Sequence, residues 1–410
     1  MEGNIVLLTE EAMRLLAIIL LVGVVCVKAS KVVKLPDTVL FILAGIIIGP
    51  ELMKLVDFKD FPVANQFILT FGAAYILYDG GREIRLNVLN KVKVSVTLLA
   101  TTGVIISAFI TAFFAMKVLK LDFIYALLLG AVIASTDPSV LVPLFKNMHI
   151  SSKLKQTIIS ESAFNDAAGA IVTFVLVGII GGGAFSLAGS IFELLKTAGG
   201  GIVVGVIFGY FATLMVSEHK AALLRGFPGE IAVAAVLGSY VTANHFGFSG
   251  FMAVFLVGIM CGNKSMFKIS IHKEAYEAHL NFKDVLIMIL RILIFVLLGT
   301  QMNFAIIGQY YMGALLVVLL FVFIARPASV LLSVIFDRKA EWKKNEVLYL
   351  MWTRETGVIP AALAGMLVSM KIPNAEIISA VTSMAIIITL TFQASSAKYV
   401  ARLLKLEVHE

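Results

Sequence analysis

Apolar runs long enough to cross a lipid bilayer recur from one end of this sequence to the other, separated by short polar stretches. Crossing about 30 Å of hydrocarbon takes roughly twenty apolar residues in a helix. That layer holds no water, so each run must satisfy its own backbone hydrogen bonds and is read as a helix. Composition agrees: 60% of residues are hydrophobic and only 14% charged, too little charge to cover a soluble domain of this length.

Gly, Pro and charged residues divide the runs into about thirteen spans. Their extents are 12–28, 36–54, 63–80, 92–117, 122–145, 155–179, 187–216, 229–246, 248–263, 283–302, 308–336, 345–370 and 374–398. The eighth and ninth are split at His245–Ser249. Glu10 and Glu11 precede the first run, where a cleaved signal would carry positive charge, so that run is expected to remain as a span. The two cysteines, Cys26 and Cys261, form no metal or disulfide pattern and are expected to be buried thiols. Gly181–Gly183 and Gly199–Gly201 lack the Lys-Ser/Thr of a phosphate loop, so a turn and close helix packing are expected. His245 and His272 are expected near helix ends rather than on a metal.

The net charge is +7, and its placement says more than its sum. Lysines and arginines follow the odd-numbered spans, as in Lys28, Lys31 and Lys34, or Arg82, Arg85, Lys91 and Lys93. The same holds for Lys146, Lys153 and Lys155, for Lys264, Lys268, Lys273 and Lys283, for Arg338 to Lys344, and for the tail. Gly181–Ser186 and Met302–Gly308, on the other side, carry none. The positive-inside rule then puts the N-terminus outside and the C-terminus in the cytoplasm, which requires an odd number of spans.

Within the spans the basic residues are Arg291, Arg326 and Arg354; the acidic ones are Asp137, Glu161, Asp166 and Glu355, with Asp79 near the end of span three. An ionisable group at that depth costs several kcal/mol and marks a functional site or a structural ion pair. Two spans also carry polar strings with a helix breaker: Ala134-Ser135-Thr136-Asp137-Pro138-Ser139 in span five and Thr353-Arg354-Glu355-Thr356-Gly357-Val358-Ile359-Pro360 in span twelve. Both helices are expected to unwind there. Their offset of seven spans reverses direction, so spans one to six and eight to thirteen read as inverted repeats about a connecting span seven. Paired interruptions of this kind point to a transport site at the midplane. The half-helix ends carry partial charges that Asp137 and the Arg354/Glu355 pair are placed to compensate.

Span six reads Glu161-Ser162-Ala163-Phe164-Asn165-Asp166. Helical spacing puts Glu161 with Asn165 on one face and Ser162 with Asp166 on the next. The donors are all oxygen, which suits a hard cation such as Na⁺, with Asp137 or the Thr136 carbonyl completing the shell from span five. A carboxylate also takes a proton: desolvation favours its neutral form and a nearby cation its charged form. Na⁺ and H⁺ would therefore compete for Asp166, which is enough to couple opposite fluxes.

Thr136-Asp137-Pro138 and Glu161 to Asp166 resemble the cation:proton antiporters of the NhaP/NHE type, as do Ala325-Arg326-Pro327 and Thr353-Arg354-Glu355-Thr356-Gly357. The resemblance covers essentially the whole chain. It implies an all-α polytopic membrane protein of the NhaA-like antiporter fold, with two crossed discontinuous helices. It also implies a homodimer, with dimerisation parts at 1–90 and 221–303, core transport parts at 91–180 and 304–410, and a connecting span in 181–220. It makes Asp166 the principal ion-binding and proton-exchanging carboxylate, with Asp137, Ser162 and the Thr136 carbonyl as further Na⁺ ligands. Glu161 would pair with Arg326 and hold Asn165, and Arg354 would serve the unwound part of span twelve beside Glu355. The Asn165-Asp166 pair goes with electroneutral exchange. The long cytoplasmic tail of the animal members is not expected, and Tyr78-Asp79-Gly80-Gly81-Arg82 matches the family's acidic-Gly-Gly stretch without giving Asp79 a role. The implied protein is a plasma-membrane Na⁺ or Li⁺ antiporter without cofactor, enzyme activity or nucleic-acid partner, surrounded by lipid. A potassium/proton antiporter and a sodium-coupled organic-anion symporter are the alternatives. An intramembrane aspartyl protease would need a Gly-x-Gly-Asp setting that Asp137 and Asp166 lack.

Overall fold

The computed structural model describes residues 2–33, 35–89, 92–136, 145, 148, 150–182, 187–218, 222–267 and 269–406. Asp137, Pro138 and Ser139 lie outside the described residues, as do Lys34, Lys91, Lys146, Lys268 and Gly183. Helices fall on each of the expected spans: α1 Glu2–Val33, α2 Asp37–Ile48, α3 Pro62–Glu83, α4 Lys93–Val118, α5 Phe123–Ile133, α6 Ser152–Ile180 and α7 Leu187–Met215. They continue with α8 Pro228–His245, α9 Gly250–Gly262, α10 Lys273–Thr300 and α11 Phe304–Val334. Span twelve is two helices, α12a Lys344–Trp352 and α12b Val358–Ser369, and α13 is Ala375–Leu403. Among the described residues no strand occurs.

Local chemistry sets these boundaries. The junction between α8 and α9 is a turn, with Gly247 at φ +71° and the Ser249 hydroxyl accepting from Met252 N to cap α9. Gly182, at φ +106°, serves the turn after α6. Two helices run well past their expected starts: α1 begins at Glu2 rather than 12, and α10 at Lys273 rather than 283. Apolarity alone misses such extensions, because a helix leaving the bilayer can continue with polar residues once water satisfies its side chains.

The helices pack through glycine where backbones must meet. On α7, Gly201 and Gly205 face the carbonyls of Ser249 and Ala253, and Gly209 faces Val257, so α7 lies directly on α9. On the far side of α9, a Cβ at Gly258 would sit 2.0 Å from the carbonyl oxygen of Tyr78 on α3. Backbone cannot yield as a side-chain tip does. Gly258→Ala is therefore expected to destabilise the protein by about 1–3 kcal/mol. Gly178→Ala, with open space around it, serves as the neutral control in the same thermal-denaturation measurement.

Fixed charges follow the same logic of pairing. Arg291 on α10 donates to Asp37 at 3.1 Å, an acid in the first turn of α2, where the helix dipole favours negative charge. Asp79 on α3 pairs with Lys283 on α10 at 2.8 Å, a structural tie between two helices.

Candidate ion site at two crossed helix breaks

The site begins with backbone that cannot stay helical. Helix α5 has eleven residues, so it reaches only about 16 Å into the layer, roughly half its depth. Helix α12a has nine and enters from the basic-loop side to about 13 Å. Residues 353–357 between α12a and α12b are not helical, as expected. Pro360 falls in the first turn of α12b, where its missing N–H costs nothing. The two carbonyl-bearing ends thus meet near mid-layer, where every unsatisfied group costs several kcal/mol.

Two buried arginines satisfy them. The Arg326 guanidinium donates through Nε to the Leu350 carbonyl at 3.0 Å and through Nη2 to that of Thr353 at 3.4 Å. It therefore caps the end of α12a. Arg354 leaves its own broken span and donates through Nη2 to the carbonyls of Ala134 and, at 3.5 Å, Ile133. The residue expected to serve span twelve thus caps span five, which brings the two breaks into contact. Its guanidinium also lies 4.6 Å over the Phe321 ring. A wide π-type turn at Phe321–Ala325 precedes Arg326; Pro327 supplies its cause, because it has no N–H to continue the ordinary ladder.

Carboxylates balance these cations. Glu161 on α6 receives both Nη atoms of Arg326, through Oε1 and, at 3.0 Å, Oε2. This is the bidentate pair that the resemblance implies. Glu355 is buried just before the N-terminus of α12b, where negative charge complements the dipole. The described ionisable residues buried at this depth are thus Arg326, Arg354, Glu161, Glu355 and Asp166.

Asp166 is buried on α6 beside this frame. Ser162 donates its hydroxyl to the Thr136 carbonyl at 2.6 Å, joining α6 to the unwound end of span five. The Asn165 amide oxygen accepts from Thr136 N at 3.0 Å, and its Nδ2 donates to Thr136 Oγ1 at 2.9 Å. Asn165 is thus held by Thr136, where the resemblance implied Glu161. These bonds bring Thr136, Ser162 and Asn165 together, with Asp166 next along α6, whereas Asp137 lies outside the described residues.

Two residues escaped sequence reading. Thr389 Oγ1 accepts from Thr356 N at 3.0 Å, and Gln393 Nε2 donates to the Trp352 carbonyl at 2.7 Å. Both project from a second π-type turn, Thr389–Ala394 in α13, and both tend the unwound segment. Their polarity in an apolar span was the available signal.

A frame of two arginine-capped half-helices beside a buried carboxylate is the architecture of an ion-translocating membrane protein. The chain belongs to the family described as sodium/hydrogen exchanger, transmembrane, whose model matches residues 16–403. It is 30% identical to "Probable Na(+)/H(+) antiporter 2" of Methanocaldococcus jannaschii, over 95% of this chain and 96% of that one. "K(+)/H(+) antiporter NhaP" of Alkalimonas amylolytica is 27% identical over 96% of this chain and 67% of its own length. Among solved structures, the sodium proton antiporter MjNhaP1 from M. jannaschii at pH 8 superposes with a TM-score of 0.85. That match has 27% identity and covers 96% of this chain and 99% of the other.

Proposed function

We propose that the protein exchanges Na⁺ for H⁺ across the plasma membrane, with both ions competing for Asp166. The observation that supports this reading is a buried carboxylate, Asp166, on α6 beside two half-helix ends that buried arginines cap. Oxygen donors lie on the same frame: the Ser162 hydroxyl, the Thr136 carbonyl and, from its position in the sequence, Asp137. In this reading Asn165, a carboxamide, contributes no titratable group, and both ends of its amide hold Thr136. One carboxylate then exchanges one cation for one proton, and transport is electroneutral. An imposed membrane potential should leave the exchange rate in proteoliposomes unchanged; a clear dependence refutes the stoichiometry. The same vesicles, with proton flux followed against Na⁺, Li⁺ and K⁺ in turn, identify the cation. A response confined to K⁺ would move this protein to the reading suggested by its K⁺/H⁺-named relatives.

The accompanying layout places dimerisation parts at 1–90 and 221–303 and core parts at 91–180 and 304–410. Packing supports it: α2 and α3 lie on α10 and α9, while α4 lies on α5 and α11 on α13. Alternating access would then slide α12b and α6 against α3, α9 and α10. The basic loops face the cytoplasm, the N-terminus lies outside, and the working form is a homodimer in lipid. Cross-linking in native membranes tests the last point.

A further inference from the structure

At the basic end of the molecule the chain builds a small chamber that the exchange reaction does not use. It is lined by the ends of α3, α7 and α9 and the starts of α8 and α10, with a volume of about 30 Å³. Arg82, Tyr276, His279 and Thr213 supply its polar lining, and no Asp or Glu lies among the lining residues. Arg82 is 8% exposed. Its Nη2 reaches the Tyr276 hydroxyl at 3.5 Å, but its Nε and Nη1 are buried without a hydrogen-bond partner, as is His279 Nδ1. Leaving two nitrogens of a charged guanidinium unmet is costly. Asp79, the nearby carboxylate, is already held by Lys283.

Other features make the chamber electropositive. Lys264 Nζ sits 3.3 Å from the centroid of the Tyr276 ring, adding a second cation that forms no ion pair among the described residues. The N-terminus of α8, an eighteen-residue helix, opens beside His279, with Gly229 next to Nδ1; such ends attract anions. Burial, with the Arg82 charge behind it, pulls the Lys264 ammonium down to about 8. Burial and the cations Arg82, Lys283 and Lys264 hold His279 neutral, at about 3.

We propose that this chamber is a binding site for a small monovalent anion of halide type, held by the free N–H groups of Arg82 and by His279. A chamber of about 30 Å³ offers room on the order of two water-sized spheres, which suits chloride or bromide. The bound anion completes the coordination of Arg82 and ties the end of α3 to α10. Glycines 80 and 81 of α3 abut Ala163 of α6 and the Phe255 carbonyl of α9, so the anion steadies a helix against which the ion-bearing α6 rests.

Thermal denaturation of the full-length protein, with sodium chloride, sodium bromide or sodium gluconate at equal sodium and ionic strength, tests this. Halide should raise the melting temperature by several degrees with saturation, and crystals grown in bromide should show an anomalous peak beside Arg82. Arg82→Gln should abolish the halide response. Lys264→Gln, a half-exposed position where folding is safer, should raise the half-saturating halide concentration roughly tenfold. The wild-type concentration should also rise between pH 7 and pH 9 as Lys264 loses its proton. Asp79, Arg82, Tyr78, Cys261, Tyr276, His279 and Lys283 face the chamber together with Lys264. Equal melting in halide and gluconate, with no bromide peak, overturns the proposal and leaves only water in the chamber. An unchanged halide response in Arg82→Gln overturns it too; should that variant not fold, an unchanged half-saturation in Lys264→Gln does so in its place.

Discussion

Asp166→Ala is expected to reduce sodium-driven proton movement in proteoliposomes to the level of protein-free vesicles. The frame around Asp166 can hold without it: Arg326 caps α12a and binds Glu161, Arg354 caps α5, and Asn165 and Ser162 hold Thr136. What disappears is the carboxylate for which the cation and the proton compete. Asp166→Asn is the sharper form, since it keeps the shape while removing the charge. It should fold with wild-type thermal stability and still not exchange. Competition makes a second demand on the wild type. The apparent KM for Na⁺ should rise as pH falls, by up to about tenfold per unit once the site is mostly protonated. Exchange retained in a well-folded Asp166→Ala protein, or a KM for Na⁺ indifferent to pH, would place the shared seat elsewhere.

How far the sequence alone leads depends on which physical rule is being read. Hydrocarbon enforces helix on any long apolar run, so the spans and their junctions were legible, including the turn between His245 and Gly250. The rule acts only inside the layer, and the polar extensions of α1 and α10 escaped it. The breaks were legible because Thr136 to Pro138 and Arg354 to Pro360 are costly strings in a span. Which group would satisfy the freed carbonyls was not, because that depends on how spans cross. Arg354 lies in one break and caps the other, a relation that linear spacing does not carry. Thr389 and Gln393 looked like two scattered polar residues until a π-type turn aimed both at residues 352–356. Arg82 likewise reads as one more loop charge until the ends of five helices close around it.

Loss of either partner of the Glu161–Arg326 pair should destabilise the protein by about 3–5 kcal/mol, because the charge left behind stays buried. Arg326 is 1% exposed and Glu161 2%, so neither reaches water if its partner is removed. The two losses are nevertheless unequal. Glu161→Ala strands one guanidinium that still has the Leu350 and Thr353 carbonyls as acceptors. Arg326→Ala strands a carboxylate and also uncovers the end of α12a, so it should be the more damaging. Arg326→Lys separates charge from shape: an ammonium keeps the charge but has no planar fork to span Glu161 and two carbonyls together. It should recover only part of the loss. Thermal denaturation of the purified single variants and the Glu161→Gln/Arg326→Met double variant measures these effects. The double variant removes both charges and should be more stable than Arg326→Ala alone. An Arg326→Ala protein that melts like the wild type would show that the crossed helices are held by something other than this pair.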